Sequence, residues 1–163
     1  MNVGPAAFLI ACVATVTLSA SQGPPVAIGT RATGAEHVVV ASVANVQSTF
    51  DRSPHGDQVI VSHIQLQVEE TLKGASAAAL SLTVEGGTVG DLTMRVSDMP
   101  TLKAGERAVF FLDSAASGDH RSHGRGLGIL KLDASDRVQG STLTRGDVRS
   151  MVRATVTAAG GQR

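Results

Sequence analysis

The chain has 163 residues, enough for one domain with a core of its own. Its 14 basic and 14 acidic side chains balance, so no basic field draws it to nucleic acid or to an anionic membrane. It has no Trp or Tyr and only four Phe, which excludes the aromatic platforms that stack single-stranded nucleic acid or sugars.

Residues 1–20, MNVGPAAFLIACVATVTLSA, carry no charged side chain. The apolar run from Ala6 to Leu18 closes on small residues. It has the length of a signal-peptide core and falls short of a membrane span. This predicts export to the periplasm or the cell exterior, with cleavage after Ala20 or, alternatively, Ser21, and no stable membrane insertion afterwards. The segment before the run lacks the usual Lys or Arg. LIAC at 9–12 also spells a lipobox that would acylate Cys12, a minor alternative because so short an apolar stretch precedes it. Cys12 is the only cysteine, so the mature chain would have no disulfide, thiolate ligand or thiol nucleophile.

Residues 21–35 begin SQGPPVAIGTRATG, a composition that predicts a flexible linker. A β domain is expected over 36–143. EHVVVASVANVQ is a β-branched run, and FDRSPHGD after it is a turn. QVIVSHIQLQVEETLKG alternates, with Ile60, Ile64, Leu66, Val68 and Leu72 on one face and only Ser62 breaking that row. ALSLTVEGG repeats the pattern with Leu80, Leu82 and Val84, and DLTMRVSDMP with Leu92, Met94 and Val96. In ERAVFFLDS, residues 108–112 are apolar on both faces, which predicts a central strand covered on both sides. LGILKLDAS adds a late strand, and DRVQG is a candidate for another. A C-terminal helix is expected over 144–159, from Val148, Met151, Val152 and Val156 at helical spacing and a capping pair of Thr144 and Asp147. Residues 160–163 are then a disordered tail. Short strands followed by one helix predict a mainly β fold: a small antiparallel OB-like barrel of 5–7 strands with a C-terminal α-helix, since closure removes exposed edges.

The order of VVVASVANV, VSHIQLQVEETLKG and LKAGERAVFFL resembles the netrin-like, OB-fold barrels of tissue inhibitors of metalloproteinases. TLKG (71–74), VEGGTVG (84–90), PTLKAGER (100–107) and GRGLGILKL (124–132) resemble, more closely, a group of uncharacterised exported bacterial proteins. The resemblance spans residues 36–133 and implies the barrel. Those inhibitors chelate zinc with an amino-terminal cysteine, which this mature chain would lack, so no inhibitor residue carries over.

HRSHGRGLG at 120–128 is the most chemically loaded stretch. Two histidines three apart are not a zinc-ligand set, and Asp51, His55 and Asp57 read as turn residues. Adjacent Glu69 and Glu70 point to opposite sides of a strand. No hydrolase signature occurs, EGGTVGD lacks the ending of a phosphate-binding loop, and RGD at 145–147 sits at a helix start. No catalytic, cofactor or metal residue is assigned. Arg107, His120, His123 and Arg125 are candidate contacts on the barrel rim, with both histidines expected to face solvent. Gly74, Gly86, Gly87, Gly105, Gly126 and Gly128 are expected to serve backbone fit. The reading is an exported, non-catalytic module that binds a protein, such as a protease or an envelope component. The alternatives are a small metal-dependent hydrolase using His120, His123 and an acidic partner, or a structural envelope domain.

Overall fold

A computed structural model describes residues 27–53 and 55–160. The expected leader, its cleavage point and Cys12 lie outside the described residues, as do residues 161–163. In chain order come α1 (Ile28–Gly34), β1 (His37–Arg52), β2 (Gln58–Lys73), β3 (Ala79–Glu85), β4 (Gly87–Val89) and β5 (Leu92–Met94). They are followed by β6 (Arg107–Ser114), β7 (His120–Ser122), a 3-10 turn (Arg125–Gly128), β8 (Ile129–Leu132) and α2 (Arg145–Gly160).

The fold is mainly β, a small, partly closed barrel with a C-terminal helix. The long strands β1 and β2 form one antiparallel hairpin, and β2 continues into β3. β6 pairs with β1 on one edge and with β7 and β8 on the other. The ring closes where β3 meets β7 at Leu82 and His120. That single contact is parallel, whereas the other ladders of the sheet are antiparallel. Register shifts at Val38, Val40 and Val43 bend β1, so one strand can serve both β2 and the closing strand β6. β4 and β5 form a separate two-stranded arm outside the six-stranded sheet.

Because strand side chains alternate, β1 and β6 feed two cores. Val38, Val40, Val109 and Phe111 pack under α1 and α2 with Ile28, Ala32, Val148 and Val152. Val39, Ala41, Ala108, Phe110 and Leu112 fill the barrel interior with Ile64, Leu66 and Leu82. Phe110 and Phe111 are both fully buried, on opposite sides of one strand. The unbroken apolar run 108–112 has this double covering as its cause.

Three expectations are corrected. Residues 28–34, expected within a linker, form α1. Seven residues with two glycines make a marginal helix in isolation, and tertiary contacts hold this one. Ile28 and Ala32 are buried, and the Lys73 ammonium donates to the carbonyls of Ala32 (2.8 Å), Thr33 (3.1 Å) and Ala35 (2.6 Å) at the helix end. The lysine of LKG is therefore a C-terminal cap. Leu92, placed inward by alternation, is exposed at the tip of the arm, and DRVQG contributes isolated bridges rather than a strand.

α2 begins with the reciprocal bonds of a capping box: Thr144 N–H to Asp147 at 2.8 Å, and Asp147 N–H to Thr144 Oγ1 at 3.2 Å. The Thr144 bonds hold the Asp147 carboxyl below its ordinary pKa. Among the described residues, no helix is long and apolar enough to cross a membrane.

Candidate functional site

The rim candidates lie in three separate places. Arg107, at the start of β6, grips Glu69 of β2 with two parallel bonds of 2.8 and 2.6 Å and reaches Asp136 at 2.6 Å. Arg145 lies 3.6 Å from Glu69 and 3.3 Å from Asp136. The Glu69 bond, then Asp136, raises the Arg107 pKa further above its ordinary value, and Arg107 in turn holds Glu69 low. Next along β2, Glu70 pairs instead with Arg149 (2.5 Å) and Arg153 (3.2 Å) of α2. Arg107 thus belongs to a lattice of charges that pins α2 and the 136 turn to the barrel.

The histidines at 120 and 123, expected to face solvent, are half-buried and bonded; both are corrections. His123 Nδ1 lies 2.8 Å from Asp113 Oδ2, and the ring fills the space beside Gly34. Asp113 also accepts from the Glu36 N–H at 3.4 Å, and the Ser114 N–H donates to the Glu36 carboxylate at 3.0 Å, which keeps Glu36 below its ordinary pKa. His120 Nδ1 is 3.2 Å from the Ser81 carbonyl. Since a carbonyl only accepts, that nitrogen carries the proton. The ring meets His37 edge to face, with centroids 5.2 Å apart. These contacts seal the seam among β7, β6 and the start of β1. No group of three or more His, Cys, Asp or Glu among the described residues could hold a metal ion.

Arg125 stands elsewhere, near a broad cleft. The cleft lies beneath the β4–β5 arm and the 95–102 segment and has a volume of about 570 Å³, within the range of small-ligand and peptide-side-chain pockets. Its walls include Val46, Ile64, Val84, Met99 and Leu102. Arg125 bonds Asp98 and lies 3.1 Å from Glu85. It holds Asp98 below its ordinary pKa, and stands between this cleft and a smaller one of about 270 Å³.

The floor of the larger cleft explains the polar break in the inner row of β2. Ser62 is buried, donates to the Gly86 carbonyl at 2.7 Å, and lies 2.9 Å from Ser48 Oγ. With its proton committed to Gly86, Ser62 must accept from Ser48. Ser48 accepts in turn from the Thr88 N–H at 3.4 Å. A directed chain of bonds, Thr88 to Ser48 to Ser62 to Gly86, ties the arm to the barrel.

The glycines of VEGGTVG let the backbone come this close. Gly87 sits at φ +137°, and a Cβ there would overlap both serine hydroxyls. On the other side, Gly128 lies so near the carbonyls of His123 and Phe111 and the Ser122 hydroxyl that a side chain has no room. Gly126 is equally tight against the Asp98 backbone, and Gly74 against His37, whereas Gly105 faces open space.

Sequence reasoning missed Ser48, Arg95 and the cleft itself. The one signal was Ser62, a hydroxyl in an otherwise apolar row. Arg95 lines the cleft and has no ion-pair or hydrogen-bond partner among the described residues. The cleft can therefore bury apolar side chains against its walls while presenting an unpaired guanidinium to a ligand carboxylate. No known protein family matches the chain, and no curated protein matches it.

Proposed function

We propose that the chain is an exported, non-catalytic β-barrel module that binds a protein partner, a protease or an envelope component, through the cleft beneath β4–β5. One observation carries this reading. The charged groups of Arg107, Glu70, His123 and Arg125 all close on partners within the chain, while the cleft combines an aliphatic wall with an open cation. That mixture of apolar surface and few placed polar groups suits recognition of another chain. Export is part of the proposal, supported by the uncharged apolar stretch at 1–20. The netrin-like relationship belongs to it as well, supported by the order of the LKG, GG and GER motifs along a barrel of this size.

Site-specific photocrosslinking in the native envelope tests the reading. Benzoylphenylalanine replaces Thr93 in the cleft in one chain and Thr157 on the outer face of α2 in another. The expected result is one reproducible protein adduct from position 93 and none from 157. No adduct from either position, or the same adducts from both, would overturn it.

A further inference from the structure

The β4–β5 arm turns on only two residues, Gly90 and Asp91, with Gly90 at φ +57° in the first central position. A two-residue turn makes its flanking residues, Val89 and Leu92, a hydrogen-bonded pair. The next pair, Thr88 and Thr93, is then a non-hydrogen-bonded one whose backbone groups point outward. The structure checks this deduction independently, because the Thr88 N–H does point away from β5, to Ser48 Oγ. By the same geometry, the Thr93 N–H and C=O point to the opposite edge. One alternation further, Arg95 makes no backbone hydrogen bond to the described residues.

Thr93 and Arg95 lie on the same side of the extended backbone, and both line the cleft. An unpaired backbone edge, an aliphatic pocket and an unpaired cation therefore meet along one short segment. Glu85, the carboxylate that lines the same cleft, is turned toward Arg125 at 3.1 Å, which also binds Asp98, so Arg95 is a lining cation with no carboxylate partner among the described residues.

We infer that the arm captures an extended acidic peptide segment, which adds as a third strand along β5. It would exchange backbone bonds with Thr93, place a carboxylate opposite Arg95 and seat apolar side chains in the cleft. This rests on the proposed protein-binding role and names the partner's chemistry: an extended stretch, apolar at alternate positions, with Glu or Asp between.

The probe is a capped, fluorescently labelled nonapeptide of alternating valine and threonine with glutamate at its centre, beside versions with glutamine or lysine there. Binding to the full chain is read by anisotropy, and exchange of the Thr93 amide by NMR. The glutamate peptide is expected to bind about tenfold more tightly than the glutamine one, and the lysine peptide more weakly still. Arg95→Gln, at an exposed position, should erase the preference while leaving the melting curve unchanged. Saturation should slow Thr93 amide exchange at least about tenfold. Equal binding of the three peptides, or an unprotected Thr93 amide in the complex, would overturn the inference. If position 93 crosslinks a partner but no peptide binds, only the added-strand inference falls. If position 93 yields no adduct, the protein-binding role itself falls.

Discussion

On the helix-covered face, Arg107, Arg145, Arg149 and Lys73 each end on an acceptor within the chain. Across the barrel, the β4–β5 arm is fastened by a chain of hydroxyl bonds and by the Gly86 N–H, which donates to the Ile60 carbonyl at 2.8 Å, and it leaves both Arg95 and the edge of β5 open. Both regions lie against the same barrel and carry similar residues, so composition does not separate them. The difference lies in what each region does with its polar groups. A face whose ion pairs close within the chain is built for rigidity, and one that leaves a cation over an apolar hollow is built to meet something else.

Substitutions can break this contrast at graded depth. Phe111→Ala empties the layer beneath α1 and α2 and should cost about 3–5 kcal/mol, whereas Leu92→Ala at the arm tip should stay within about 0.5 kcal/mol. Urea unfolding of the two variants measures both, and comparable losses would mean the arm is as integral as the core. Gly128→Ala forces a methyl against the His123 and Phe111 carbonyls, with an expected cost of about 1–3 kcal/mol. Gly105→Ala, in open space, tests the other half of that comparison: its φ of +86° strains the backbone without any clash.

Lys73→Met keeps the stem and removes the cap from α1, for a loss of about 1–2 kcal/mol. Hydrogen exchange should quicken in α1 before it does in β2. The smallest effect is electrostatic. Arg107 lowers the Glu69 pKa, so its stabilisation is complete above the ordinary glutamate value of about 4.3 and is lost as pH falls through the lower folded value. Glu69→Gln should therefore flatten the acid limb of a stability-against-pH curve and leave the arm's crosslinking unchanged.

The strands were legible because period-two patterning is local: Ile64 and Leu66 declare the barrel-interior face without reference to anything distant, whereas Leu72 of the same row packs in the other core, under the helices. The capping pair at Thr144 and Asp147 was legible for the same reason. What escaped was decided across the sequence. The helix at 28–34 depends on a lysine some forty residues on, and Leu92 obeys alternation yet belongs to an arm with no core beneath its tip. The cleft was harder still, because Ser48 and Ser62 become a site only once the 53–57 turn folds one strand back on the other and Gly87 is laid across them. Arg107 and Arg95 look alike in sequence, and only the fold gives one of them partners.

The pairing of β1 on both edges has a kinetic side. Residues 38–52 meet 58–73 across a short turn, so that hairpin can form early, while the other edge waits for residues 107–112. The free edge of β1 is thus exposed until most of the barrel has emerged and folded. From this topology, closure of a long loop rather than growth of any strand is expected to limit the folding rate, which stopped-flow refolding measures. A chain caught before that closure would show the run Val38–Ala41, wholly buried in the finished barrel, as an unpaired strand edge open to a neighbouring chain.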